Sequence, residues 1–366
     1  MKICGIICEL NPAHNGHKYI FEKAKIQTGA DIIIAVMSGD YVQRGVPAFT
    51  DKTVRTTMAL NIGADVVFEL PIFAATASAA YFADGGVALL DALGCDSIFF
   101  GSEAGNITEL TGLSYEKGMK HYPNDILAIE YINAISRLGA DIVPYTCKRE
   151  GPGYNDSHSV CGDFCSASYI REHFTNNEVP SSCIPDTSYE MLIKYFESHN
   201  YLTPDDYSDM LYLKLINEKN EGFTKYFDIY EDLSDKIIAG INNYSGLEDF
   251  IMLLKSKDIA YSHICRALLH IILGITKKHF DIYKSYGYAP YARLLGFKKE
   301  SEQALGVIKK SSKTDIIAKL ADYRKSASAD IRELIDVEIN ASHIYSYLSY
   351  KPDKYINELT RQIVIL

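Results

Sequence analysis

The sequence predicts an α/β doubly wound parallel sheet, Rossmann-like in its winding, followed by an α-helical region. Three observations carry this. Short β-branched runs alternate with helix-length amphipathic stretches through the first half, each run stops at a glycine, a proline or a small polar turn, and from about Ile184 onward strand-like runs give way to helices with short joints. Runs that are apolar throughout are buried on both faces, and helix-length crossovers between them imply parallel, right-handed connections. The expected division is an α/β domain over 1–183 and an α-helical domain over 184–366.

In chain order, MKICGIICEL supplies the first strand, stopped at Glu9-Leu10-Asn11-Pro12, and a helix follows from about His17 to Thr28, closed by Gly29. The second strand, Asp31 to Met37, ends at Ser38-Gly39-Asp40 and leads into the loop Tyr41 to Pro47. A helix over 51–62, a third strand over Asp65 to Leu70 stopped by Pro71, an Ala-rich helical stretch through Leu93 and a fourth strand over Asp96 to Phe100 come next. A helix from Asn124 or Asp125 to Gly139 precedes a fifth strand, Asp141 to Tyr145. A loop rich in glycine and serine then runs from Lys148 to the helix start Ser166-Ala167-Ser168-Tyr169-Ile170-Arg171. Further helices are expected over 185–198, 205–218 and 258–274.

At 366 residues, 47% hydrophobic and 23% charged, the chain has the composition of an ordinary globular protein, which excludes disordered and collagen-like classes. No apolar segment approaches the roughly 18 residues of a membrane span. The start Met1-Lys2-Ile3-Cys4 lacks a signal-peptide layout, because its apolar run is short and meets Glu9 and Asn11 at once. The eight cysteines are scattered without a C-x-x-C pair, so they are expected to be reduced and mostly buried, in a cytoplasmic protein. No Cys or carboxylate cluster of ligand spacing accompanies the histidines, and no metal site is expected.

In a doubly wound sheet, ligands bind beyond the carboxyl ends of the strands, so the loops after them hold the information. These are Asn11 to His17, Ser38 to Pro47, Pro71 to Thr76 and Gly101 to Asn106. In the first, His14 and His17 flank Gly16 at the mouth of a helix, where free N–H groups and the helix dipole favour an anion. The imidazoles can donate to phosphate oxygens, and Gly16 allows close backbone approach. A surface loop with two histidines fits the same string equally well. Gly101 could let a base or ribose lie against bare backbone, or could be routine turn chemistry. The start at Ser166 with Arg171 in its first turns makes a second phosphate-compatible site, although serine caps are common.

The net charge of −10 speaks against nucleic acid, but its distribution does not. Residues 277–325 hold twelve Lys or Arg against five acids, an excess of +7, leaving −17 on the remainder. A local positive field attracts a phosphate backbone, and a solvated lysine-rich helix face has the same composition. Within it, Tyr283 to Arg293 (YKSYGYAPYAR) interleaves tyrosines with Lys and Arg, suited either to stacking on unpaired bases or to packing helices.

A His-x-Gly-His after the first strand, with a later serine-rich helix start bearing arginine, resembles the nucleotidylyltransferase superfamily. The strings ELNPAHNGH, MSGDYVQRG, ALNIGADVVFELP, GSEAGN, NDILAIEYI, SASYIR and YAPYARLLGF resemble, in the same order and across most of the chain, the bacterial tRNA(Met) cytidine acetate ligase family. Two departures stand out. Cys165 replaces a usual serine in Phe164-Cys165-Ser166, and His263 stands where an arginine is expected.

The resemblance implies a nucleotide-binding α/β domain and a helical, tRNA-binding second region. It implies that acetate and ATP are joined as acetyl-adenylate, and that the acetyl group passes to N4 of the wobble cytidine of elongator tRNA(Met). Carried over by motif, the ATP segment is Ile7, Cys8, Glu9, Leu10, Asn11, Pro12, Ala13, His14, Asn15, Gly16, His17, Lys18, Tyr19 and Ile20, joined by Gly101, Asn155 and Arg171, with Asn124 as the alternative asparagine. His14 and His17 are the expected catalytic pair, with Mg²⁺ expected to bridge the phosphates. Lys277, Lys278, Arg293, Lys298, Lys299, Lys309 and Lys310 are the candidate tRNA contacts. Two other functions fit the residues: a small-molecule nucleotidylyltransferase, which needs no basic helical region, and a non-catalytic RNA-binding protein with a relic pocket.

Overall fold

Each apolar run of the first half is a strand whose alternate side chains enter two different cores. In β1 (Ile3–Cys8) and β2 (Ile32–Ser38), residues Ile3, Ile32, Ile34 and Val36 join one cluster while Cys4, Ile6, Ile33 and Ala35 join the other. Burial on both faces requires helices on both sides of the sheet. The computed structural model describes residues 1–113, 122–149, 162–176, 178, 181–350 and 356–366.

The remaining strands are β3 (Tyr41–Val42), β4 (Val46–Pro47), β5 (Val66–Leu70), β6 (Ser97–Ser102), β7 (Val143–Lys148), β8 (Ala292–Phe297), β9 (Ile316–Ile317) and β10 (Val364–Ile365). The sheet order is β10-β8-β5-β2-β1-β6-β7, with β9 also beside β8 and β3-β4 a separate hairpin. Strands β5, β2, β1, β6 and β7 are mutually parallel, whereas β8 runs antiparallel to β5. Sequence order reverses direction at β1, which lies between β2 and β6, so the crevice opens at the carboxyl ends of β1 and β6.

On one face lie α1 (Asn15–Thr28), α2 (Lys52–Ile62), α7 (Ala167–Thr175) and α8 (Asp186–Ser198), through residues such as Phe21, Met58, Ile170 and Leu192. Between α2 and α7 in the chain come α3 (Ile72–Ala75), α4 (Ala79–Ala92), α5 (Ile107–Leu113) and α6 (Pro123–Leu138); α4 and α6 cover the other face. The second half adds α9 (Ser208–Glu218), α10 (Glu231–Gly240), α11 (Leu247–Leu254), α12 (Tyr261–Leu273), α13 (Lys277–Ser285), α14 (Glu302–Ser311), α15 (Leu320–Ser326) and α16 (Ala329–Ser349). Caps follow the expected chemistry: Asp51 and Ser166 accept from N–H groups of the first turns of α2 and α7, and Gly29 and Gly139 end α1 and α6 in the left-handed region.

Two expectations need correction. Residues 184–366 are not purely helical, because β8, β9 and β10 extend the sheet at its β5 edge. Arg293 breaks the apolar run of β8, and two-residue strands carry no periodicity, so neither announces itself in the sequence. The fifth strand lies at Val143–Lys148 rather than Asp141 to Tyr145, in register with β6 through Ser102 and Lys148. As an edge strand with half-exposed residues, it lacks a continuous apolar signal. Among the described residues, no helix is long and apolar enough to cross a membrane, and the seven described cysteines are buried.

Candidate nucleotide site

The loop from Glu9 to His14 leaves the carboxyl end of β1 and is held from both sides. Arg55 of α2, fully buried, donates to the carbonyls of Glu9 (2.9 Å), Ser38 (2.8 Å), Thr50 (2.9 Å) and Gly39. The Asn11 side chain accepts from the Phe49 N–H at 2.6 Å, and Glu9 from the Gln43 N–H at 2.7 Å. From the other side, Arg171 of α7 donates to the Asn11 carbonyl (2.6 Å) and to Ser168 Oγ (3.1 Å). Asn15 Nδ2 donates to the carbonyls of Asp163 (2.8 Å) and Ser182 (3.0 Å), fastening the start of α1 to the segments on either side of α7. Arg55 therefore braces loops. Lys52 does the same, buried among Asp40, Glu69 and Glu358, whereas Arg44 is exposed at the tip of the β3-β4 hairpin.

His14 and His17 cap α1 reciprocally. The Gly16 N–H donates to His14 Nδ1 (3.1 Å), the His14 N–H donates to His17 Nδ1 (3.3 Å), and the rings lie 3.8 Å apart between centroids. Gly16 is required here, because a Cβ would sit 2.9 Å from His14 Cε1. Burial, the neighbouring ring, Arg149 and Arg171 hold His14 well below the usual imidazole value, and burial with Arg149 pushes His17 down to about 3. Both rings are neutral near pH 7. With each Nδ1 accepting from a backbone amide, the ring proton sits on Nε2, so each histidine offers one N–H donor without a charge. Neither Nε2 has a hydrogen-bonding partner among the described residues.

Gly101 lies in β6 beside α1. A Cβ there would fall 2.8 Å from Ile20 Cδ1 and 3.1 Å from Arg149 Cγ, so its bare face already receives protein side chains. Ile7 and Cys8 point into the sheet packing, where burial pushes the Cys8 thiol up to about 12, and Leu10 and Ala13 are buried. This leaves their backbone for a ligand. Lys18 is exposed, while Tyr19 packs edge-on to Phe164 with Lys23 over its ring. Asn155 lies outside the described residues. Asn124 Nδ2 donates to Glu103 at 2.6 Å.

The loop after β5 is not part of this crevice: α3 begins at Ile72, and Thr76 is buried against His270 of α12. Arg149 was missed by sequence reasoning because the fifth strand was ended at Tyr145. A strand carried to Lys148 places Arg149 in the next carboxyl-end loop.

Arg293, expected to contact RNA, is buried in β8 and pairs with Glu69 (2.9 Å) and Glu358 (2.5 Å), so it cannot meet a phosphate backbone. Lys298 lies 3.9 Å from Asp65, Lys278 pairs with Glu333 at 2.7 Å, and Lys277 lies over the Tyr230 ring. Lys299, Lys309 and Lys310 are exposed. Of the tyrosines around them, Tyr283, Tyr288 and Tyr291 are core residues and pack the helices, whereas Tyr286 is exposed.

The model of the HIGH Nucleotidyl Transferase family matches residues 1–118 and 113–360. The tRNA(Met) cytidine acetate ligase of Thermoanaerobacter sp. (strain X514) is 36% identical over 96% of both chains, and that of Acetivibrio thermocellus 32% identical over 100% of both. The chain belongs to the tRNA(Met) cytidine acetate ligase family. Solved structures agree over the whole chain: apo Thermotoga maritima TmcAL superimposes with a TM-score of 0.91 at 28% identity, and TmcAL bound with alpha-thio ATP with 0.90 at 27%. Each covers 100% of both chains, so the ligase-family fold includes the strands that residues 292–365 add to the sheet.

Proposed function

We propose that this chain joins acetate to ATP as acetyl-adenylate, releasing pyrophosphate, and transfers the acetyl group to N4 of the wobble cytidine of elongator tRNA(Met). The observation that carries the reading is the reciprocally capped His14-His17 pair at the mouth of α1, with Arg171 holding the same loop, in a chain of this family. An acetate oxygen attacks the α-phosphorus and the bond to the pyrophosphate oxygen breaks. The Nε2–H donors and the first amides of α1 meet the charge that collects on the departing oxygens. They are preorganised, so they need no reorientation at that moment. The cytidine amine then attacks the acetyl carbonyl carbon, loses one proton, and AMP leaves with its phosphate oxygen. That amine is a weak nucleophile, so positioning matters more than a strong base.

Among the described residues, no group of three or more His, Cys, Asp or Glu is arranged to hold a metal. The described residues offer no cage for Mg²⁺, and no step above runs through one. The ATP segment from Ile7 to Ile20, with Gly101 and Arg171, is the proposed nucleotide site, and Asn155 or Asn124 its asparagine. Lys277, Lys278, Lys298, Lys299, Lys309 and Lys310 are the proposed tRNA-facing cations, in the cytoplasmic setting that tRNA modification requires.

The test is incubation with ATP, labelled acetate and purified elongator tRNA(Met). Label in the tRNA, and loss of acetate-dependent pyrophosphate exchange in His17→Ala, are expected. AMP transfer to a metabolite would favour a small-molecule nucleotidylyltransferase. Binding without turnover would favour the relic pocket.

A further inference from the structure

Arg149 has no assigned role, and its placement is specific. It follows β7 directly, and its N–H donates to the carbonyl of Ser102 at 2.9 Å, continuing the β6-β7 pairing past the carboxyl end of both strands. Its stem passes over Gly101, with Cγ 3.1 Å from the position a Cβ would take there. A larger residue at 101 would push the guanidinium away. Among the described residues, the carboxylate paired with that guanidinium is Glu103, at 4.0 Å, and Glu103 Oε1 already accepts from Asn124 at 2.6 Å. The Arg149 side chain remains 44% exposed.

The pair of histidines leaves a deficit that Arg149 fits. Both rings are neutral, so they supply hydrogen bonds to a triphosphate but no countercharge. Among the described residues, Arg149 is the cation whose field lowers both His14 and His17, whereas Arg171 lowers His14 and is bound to Asn11 and Ser168. We infer that Arg149 is a further phosphate-binding residue of the nucleotide site, pairing with the β- and γ-phosphates of ATP at the open rim of the crevice. Its exposure suits the outer phosphates, which reach solvent, more than the nucleoside. An arginine can take two phosphate oxygens at once, and Glu103 holds it over the site until they arrive. Gly101 then serves this residue: it clears the path for the stem of Arg149.

The inference rests on the nucleotide-binding part of the proposed function and can be tested without the acetate chemistry. Calorimetric binding of ATP and of AMP is measured for the unaltered protein, Arg149→Ala and Arg149→Lys. ATP binding is expected to weaken at least tenfold in Arg149→Ala, about 1.4 kcal/mol, with AMP within threefold, and Arg149→Lys should recover part of the loss. Unchanged ATP binding, or equal loss for ATP and AMP, overturns the assignment. Gly101→Ala supplies an independent check: it should weaken ATP binding in the unaltered background and add little in Arg149→Ala, and full additivity would refute the link. If the unaltered protein binds ATP but shows no acetate-dependent exchange, the ligase reading fails while the Arg149 comparison still stands.

Discussion

Replacing Lys52 with methionine keeps the length of the side chain and removes its charge, and its surroundings make the cost large. The ammonium is fully buried and lies 2.6 Å from Glu358, 2.8 Å from Glu69, 3.5 Å from Asp40 and 2.9 Å from Ser342 Oγ. Arg293 and Arg361 pair with the same acids and with Asp51, so the cluster sets Lys52, Arg293 and Arg361 against Asp40, Asp51, Glu69 and Glu358. Glu338, pushed up to about 7 by burial and by Glu69, is only partly ionised at neutral pH. Taking out one cation leaves carboxylates in a dry interior without compensation, which costs about 3–5 kcal/mol. Urea unfolding should show this loss as a lower midpoint, with a slope near that of the unaltered protein. The acid limb should change too. Lys52, Arg293 and Arg361 hold Glu358 well below its ordinary 4.5, so its stabilising contribution is present above that value and lost as pH falls through the lower folded one. Lys52→Met should lose less stability on acidification over that window. A total loss below about 1 kcal/mol would refute the view that the cluster is mutually dependent.

Other outcomes follow from the same geometry. With His14 and His17 held below their ordinary 6.5, exchange activity should show no titration of these rings between pH 6 and 8, and a rate that steps with an imidazole pKa there would contradict the neutral-donor role. Stability should decline as pH drops from 6.5 toward 3, because the unfolded chain binds protons that folded His17 does not, and His17→Asn should flatten the decline in acid titrations followed by circular dichroism. Gly45→Ala should cost about 2 kcal/mol or more, since φ is +75° and a Cβ would fall 2.6 Å from Arg266 Cα of α12; an unchanged urea midpoint would mean that the hairpin does not pack against α12 this closely. Charge reversal at Lys309 and Lys310 should weaken tRNA binding and reduce its salt dependence while leaving acetate-dependent exchange intact, whereas indifference in a filter-binding titration would move the RNA surface elsewhere.

What could be read in advance depended on how local the determining contacts were. The β1-α1 unit was legible because its apolar run, its turn, the histidines and Gly29 lie within about thirty residues and each acts on its neighbours. The cap at Ser166 was legible for the same reason. Arg293 was misjudged because the partners that bury it, Glu69 and Glu358, are far away in the chain, and composition registers only a basic residue among tyrosines. The roles of Arg55 and Lys52 were equally hidden, since bracing and binding cations look alike until their partners are known. Arg149 was lost through an error of three residues in the end of one strand.

The way β8 and β10 close the sheet bears on how the protein is made. A chain emerging from the ribosome can pair β5, β2, β1, β6 and β7 as soon as residue 148 is available, but one edge of β5 then stays open. Its partner β8 arrives about 140 residues later, and Glu358, which joins Lys52 to Arg293, later still. During that interval the nascent domain carries an unpaired strand edge, a feature that invites association with other unfinished chains. Pairing of the parallel strands and completion of the sheet are therefore separated in time, and a product cut short before residue 358 would be a target for chaperones rather than a finished fold.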